Sequence, residues 1–321
     1  MACTAVCECN NSLSNTGIDC QPVFEVIKRL IFVPQVDSAG NRNFINLSDT
    51  LDAAYFTALV NQADSSKRWY PSPEIKNIES LREDPIYETF ADNTRLFVQP
   101  GVRNFSGLIV GKDASAQLLG KLESGRCNDV GVYLVDRKGN LMGIISNDGT
   151  QMFPIKLDSA SIAPIFDFTT DTTGQKIRLN FQFSQEESDS CLRMITANEM
   201  GDANLLNLRG LLNAFATFSG ISQTGVTVDL YTDYGTPLNP KPIQGLLVAD
   251  FVSTFDAATS RARNITDSLN VTLTSVTEST STPGRYVLVF ASQTVSDVMA
   301  VTCKKNGFDF TAVAAKTFTI V

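Results

Sequence analysis

Strict alternation of apolar and polar side chains recurs along this chain, most clearly between residues 165 and 185. Phe166 and Phe168 alternate with Asp167 and Thr169 up to a turn at Asp171-Thr172-Thr173-Gly174. Ile177, Leu179, Phe181 and Phe183 then interleave with Arg178, Asn180, Gln182 and Ser184. Side chains on a strand point to opposite faces in turn, so the pattern predicts a hairpin with one aromatic and one hydrophilic face. Other strands are predicted over residues 24–33, ended by Pro34 and a turn at Asp37-Ser38-Ala39-Gly40, and over short runs between residues 88 and 109. Asp92-Asn93 and Pro100-Gly101 break those runs. Residues 130–136 return as 141–145 across Arg137-Lys138-Gly139-Asn140.

Two segments switch to a helical period. Leu51, Ala54, Tyr55, Ala58 and Leu59 recur at three- and four-residue steps behind Ser48, read as the N-cap, with Asp49 and Asp52 in the first turn; this predicts a helix near 49–64. A second helix, 114–123, is read as capped by Asp113 and stopped by Gly125, with Leu118, Leu119 and Leu122 on its buried side. Residues 196–213 fit a helix or a loop followed by a strand. From residue 219 strands are predicted over 226–232, 245–252, 269–276, 285–290, 298–303, 308–313 and 318–321. About seven strands with turns every 8–12 residues is the signature of a β-sandwich. Pro283-Gly284-Arg285-Tyr286 resembles the Gly-x-Tyr strand start of immunoglobulin-like modules, while the Cys…Trp…Cys pattern of antibody domains is missing. The expected fold is mainly β: an arm over 1–21, a β domain with one or two packed helices over 22–218, and an Ig-like sandwich over 219–321.

Composition narrows the chemistry. The 321 residues include no His, which removes Ser-His-Asp triads, His metal sites and His proton shuttles and leaves only carboxylate or lysine chemistry. No Gly-x-Gly-x-x-Gly, Walker or Gly-x-Ser-x-Gly motif occurs, so neither an enzyme nor a cofactor site is expected. Asp136 and Asp148 lie near glycines but outside a calcium-loop pattern, and turn chemistry explains them. Glu186-Glu187-Ser188-Asp189 reads as a solvated loop. Cys3, Cys7, Cys9 and Cys20 do not match zinc spacing, and seven cysteines in a chain of cytosolic character read as reduced or adventitiously paired thiols. The Asn-x-Ser/Thr triplets at Asn104, Asn264 and Asn270 are attributed to chance. Apolar runs are too short to span a bilayer, and no secretory signal pattern follows Met1. A net charge of −8 is the wrong sign for gripping phosphate backbones. Trp69, Tyr70 and Pro71, beside the only Trp, read either as an aromatic anchor for a partner subunit or as a loop folded onto its own domain.

A mainly-β domain with packed helices followed by an Ig-like sandwich resembles the tail tube proteins of tailed bacteriophages. The stretch from Arg68-Trp69-Tyr70-Pro71 through Gly101-Val102-Arg103-Asn104-Phe105-Ser106-Gly107, then residues 129–141, is similar to virion proteins of phages that infect Bacteroidetes-type hosts; the likeness covers about half the chain. The resemblance implies hexameric rings stacked into a tube, a sheet from each subunit closing a barrel around passing DNA, and the Ig-like module outside. Its partners are then copies of itself, other virion proteins and transiently DNA, with no membrane, and its place is the virion tail after synthesis in the host cytoplasm. The hydrophilic face of the 165–185 hairpin (Asp167, Thr169, Arg178, Asn180, Gln182, Ser184) becomes the candidate lumen lining. Six copies at −8 each give −48 per ring, consistent with a low-affinity conduit. A connector or decoration protein of the virion, or a carbohydrate-binding adhesin with a discrete aromatic patch, is the alternative.

Overall fold

The computed structural model describes residues 23–254 and 258–321, and the arm expected over 1–21 lies outside them. The chain divides into two compact units, Met1–Gly210 and Leu211–Val321, both built mainly of strands with few helices. The boundary expected after residue 218 falls inside the first strand of the second unit. The leucines of 205–212 hid the change: Leu205 is buried in the first unit, whereas Leu212 starts that strand.

In chain order the first unit runs β1 (Ile27–Pro34), β2 (Ile45–Asn46), α1 (Ala53–Val60), β3 (Tyr70–Pro71), β4 (Lys76–Arg82), β5 (Ile86–Thr89), β6 (Arg95–Gln99), β7 (Arg103–Val110), α2 (Ala116–Ser124), β8 (Val130–Asp136), β9 (Leu141–Ile145), β10 (Gln151–Phe153), β11 (Ile155–Lys156), β12 (Ala163–Asp167), β13 (Lys176–Phe183) and β14 (Leu192–Ile195). One sheet has the order β2-β10-β9-β8-β1-β3, with β11 joined to β8 and β14 to β9. The other has the order β12-β13-β7-β4. Their apolar faces share one core, in which Leu30, Phe32, Val132 and Leu134 meet Phe105, Ile177, Leu179 and Phe181. The Phe105 and Phe181 rings stack at 4.5 Å as a registered cross-strand pair, and Phe32 meets Phe181 edge-on at 6.2 Å.

β8 reads as an unbroken apolar run because both its faces are covered. Val132 and Leu134 join the shared core. Tyr133, on the opposite face, lies 5.0 Å from the ring of Trp69, which in turn lies 5.7 Å from Phe56 of α1. Trp69 is therefore a core residue of its own unit, 3% exposed, and is not available as an anchor for a partner. The neighbouring aromatics form its pocket, which is the loop-folded-back alternative. Tyr70 remains 40% exposed and donates its hydroxyl to the Ser65 carbonyl at 2.9 Å; Pro71 is half-buried opposite Ile31.

Both helices start later than the sequence suggested. Asp52, not Ser48, caps α1 by accepting from the Tyr55 amide at 2.8 Å, because Ser48 is engaged with Asn46 in the preceding turn. Ser115, not Asp113, caps α2 by accepting from the Leu118 amide at 3.2 Å. The ambiguous 196–213 segment is a short 3-10 turn at Ala197–Met200, then loop, then strand.

The second unit continues with β15 (Leu212–Ser222), β16 (Gly225–Gly235), β17 (Pro240–Pro242), β18 (Phe251–Val252), β19 (Arg261–Asn264), β20 (Leu269–Glu278), β21 (Arg285–Phe290), β22 (Val298–Ala300), β23 (Thr302–Cys303), β24 (Phe308–Asp309), α3 (Thr311–Ala314) and β25 (Thr317–Thr319). Strands pair in the order β15-β16-β21-β20 and, through β20, β19-β22-β25. The strands run as one continuous sheet around a single core, so this unit is mainly β, as expected. Two predicted strands are shorter. Residues 245–252 are mostly loop and a 3-10 turn, with Gly245 at φ +68° and Leu247 69% exposed; the 308–313 strand gives way to α3, whose Thr311 amide is held by Asp309. Gly284, at φ +77°, is required where β21 starts, since a Cβ there would lie 2.8 Å from the Leu230 carbonyl oxygen.

Tyr286 follows it and is fully buried; its hydroxyl donates to the Ile243 carbonyl at 2.9 Å and accepts from the Leu246 amide at 3.2 Å. Burial pushes this phenol up to about 12, and full burial moves Tyr133 in the same direction. An unfolded tyrosine ionises near 10, so between about pH 10 and 12 the folded state keeps protons that the unfolded state has lost, and stability falls as pH rises. Thermal unfolding followed in steps through this window is expected to show a midpoint that drops from about pH 10. Tyr286→Phe removes the contribution of the second unit's phenol to that drop. A midpoint flat to about pH 12 contradicts the assignment.

Candidate functional site

The four-stranded sheet β12-β13-β7-β4 has a buried face and a polar one, and two properties make its polar side the candidate site. First, among the described residues both of its borders are unpaired: β4 bonds only to β7, and β12 only to β13. Second, the chain between β4 and β7 leaves the sheet as the two-stranded ribbon β5-β6, closed by a turn in which Asp92 accepts from the Thr94 amide and Asn93 has φ +64°.

The polar face follows from the alternation. Lys176, Arg178, Asn180 and Gln182 of β13 point outward and stand opposite Val110, Leu108, Ser106 and Asn104 of β7, which in turn bring Lys76, Glu79 and Leu81 of β4 onto the same face. Asp167 faces Lys176 across the β12-β13 pair. It holds the Arg178 guanidinium at 3.0 Å through both carboxylate oxygens, with Lys176 at 4.0 Å. Arg178, Asn180, Gln182 and Asp167 therefore share this face, as the sequence predicted.

Thr169 and Ser184 do not lie on the sheet. β12 ends at Asp167, and Thr169 sits in the exposed connection that also leaves Phe168 81% exposed. Ser184 follows the end of β13, its amide donating to the Lys156 carbonyl and its hydroxyl accepting from the Glu186 amide. The face also includes Ile165, and Asn104 and Ser106, which sequence reasoning passed over although polar residues alternate with Phe105 and Gly107 there. Asn104 and Ser106, with Ser161, Asn180 and Gln182, line a concavity of about 460 Å³.

From Glu79 to Gln99 no residue is buried. The ribbon carries exposed apolar side chains on both sides: Tyr87 and Phe97 face one way, with rings 5.9 Å apart and edge-on, while Leu96, paired with Glu88, faces the other. Tyr87 is 49% and Val98 55% exposed. A two-stranded ribbon is marginal in water by itself, and contiguous exposed apolar surface marks an interaction site. No sequence signal showed that both sides lack cover.

The sheet borders are partly defended. β4 carries a bulge between Lys76 and Glu79, with Asn77 at φ +48°, and β12 contains Pro164, which has no N–H to offer a new strand. The Glu186-to-Asp189 loop is not simply solvated. Glu187 accepts from Arg42 at 3.1 Å and from the Lys156 amide at 3.2 Å, and Asp189 joins Arg82 and Arg103. Among the described residues no three Cys, Asp or Glu side chains are placed to hold a metal ion, and no helix is long and apolar enough to cross a membrane. Of the described cysteines, Cys127 and Cys303 carry free thiols, and the buried Cys191 is disulfide-bonded.

No protein-family model matches the chain, and no curated protein matches it.

Proposed function

We propose that the chain is a structural wall subunit that assembles with copies of itself into stacked rings, as in a phage tail tube, around a channel for DNA. The observation that carries this reading is the ribbon, which exposes apolar side chains on both sides and projects from a sheet whose two borders are unpaired among the described residues. Among the described residues nothing covers that surface, whereas copies of the chain supply a cover repeatedly. In this reading the outer face of β12-β13-β7-β4 lines the lumen, its partners are other copies and neighbouring virion proteins, and its place is the virion tail.

The electrostatics of that lining differ from the whole-chain charge. Lys76, Lys176 and Arg178 stand against Glu79 and Asp167, so the face is near neutral, and its two β13 cations are turned to Asp167. Passing DNA thus meets amides, hydroxyls, paired charges and one exposed lysine, Lys76. Low affinity comes from this scarcity of free cations, since phosphate binding scales with the cations it engages.

Concentrated full-length chain imaged by negative stain is expected to show rings or tubes. Single particles that bind glycan instead favour the adhesin alternative, to which the Tyr87–Phe97 pair lends an aromatic patch. Copy number in purified particles separates a tube protein, present in many rings, from a connector, present in few.

A further inference from the structure

The ribbon departs from the sheet between Arg82, the last residue of β4, and Arg103, the first of β7. These two arginines are a registered cross-strand pair. Like charges directly opposite one another destabilise a strand pair, so the root of the ribbon contains a built-in repulsion. A third segment relieves it. Asp189, in the short 3-10 turn Asp189–Cys191, presents one carboxylate oxygen, Oδ2, to Nη1 of Arg82 and, at 2.5 Å, to Nη2 of Arg103.

The turn that carries Asp189 is itself fixed. Ser188 accepts from the Ser190 amide at 3.3 Å, and Cys191 is 2% exposed in the core. On the ribbon side, Arg82 Nε donates to the Gly101 carbonyl at 3.2 Å, the Glu83 amide donates to the Val102 carbonyl at 2.9 Å, and Asn104 donates to the Glu83 carboxylate at 3.1 Å. The chains cross so closely here that a Cβ on Gly101 would sit 1.8 Å from the Glu83 carbonyl oxygen. Burial, and after it the charge of Arg82, holds the Arg103 guanidinium below its ordinary range.

We propose that Asp189 is a positioning residue: its carboxylate joins Arg82 to Arg103 and fixes the direction in which residues 83–102 leave the sheet. Without that carboxylate the two guanidiniums face each other uncompensated, the Glu83–Val102 closure loosens, and the ribbon loses its pose. The consequence for assembly rests on the reading above; the behaviour of the root does not.

Hydrogen exchange on dilute full-length chain tests it. Asp189→Asn is expected to speed exchange of amides 83–102 about threefold to tenfold, with β1 and β8 unchanged. Adding Arg82→Gln to Asp189→Asn removes the repulsion and is expected to restore protection. Unchanged exchange in Asp189→Asn, a general rise that includes β1 and β8, or failure of Arg82→Gln to restore protection overturns the proposal. If Asp189→Asn loosens the root yet leaves the wild-type assembly intact in images, the positioning role stands and the assembly role of the ribbon falls.

Discussion

Phe181→Ala is expected to destabilise the first unit by about 3–5 kcal/mol, the range for emptying a large aromatic site in a core. Phe181 is 2% exposed and lies between the two sheets, stacked on Phe105 at 4.5 Å and edge-on to Phe32 at 6.2 Å and Phe183 at 5.3 Å. Three aromatic neighbours held on separate strands cannot collapse into the space together. Phe168→Ala makes the matching comparison, because the alternation in the sequence gives Phe168 and Phe181 the same apparent rank. Phe168 is 81% exposed beyond the end of β12, so its loss is expected within about 0.5 kcal/mol of neutral. Denaturant unfolding of both variants, at matched slope, checks this. Equal losses would mean that the two-sheet core is misplaced.

The second large effect concerns assembly. Tyr87→Asp with Phe97→Asp puts two carboxylates at a registered cross-strand pair on one side of the ribbon. If copies of the chain cover that side, each interface must bury uncompensated charge, which costs several kcal/mol. Rings or tubes are expected to disappear from negative-stain images. The unfolding transition is expected to move little, since neither residue belongs to a core cluster and both are more than 40% exposed. Assembly that survives the double substitution removes the ribbon from the interface. A lowered transition would show instead that the ribbon packs on its own unit.

Much of this architecture was legible in the residues, and the failures have physical causes. Alternation identified β13 and the polar row Arg178-Asn180-Gln182, because a strand with one buried face must repeat every two residues. Turn spacing and the Gly-x-Tyr strand start located the Arg285-to-Phe290 strand to the residue. Cap chemistry misplaced both helix starts, since Ser48 and Asp113 compete with turns while Asp52 and Ser115 hold the amides. Trp69 was ambiguous because an aromatic beside prolines suits an interface as well as a core, and only the meeting of α1 with β8 decides it. The joining of Arg82, Arg103 and Asp189 could not be read at all, as Asp189 lies 107 residues from Arg82 along the chain. The double-sided exposure of the ribbon is likewise a tertiary property: Ile86, Tyr87 and Leu96 look like any strand until the surroundings are known.

Imaging the wild-type chain over a series of concentrations probes the central claim most directly. Closed rings with a central hole, stacking into tubes as concentration rises, are the expected result. Isolated two-unit particles at every concentration and salt level would contradict the account.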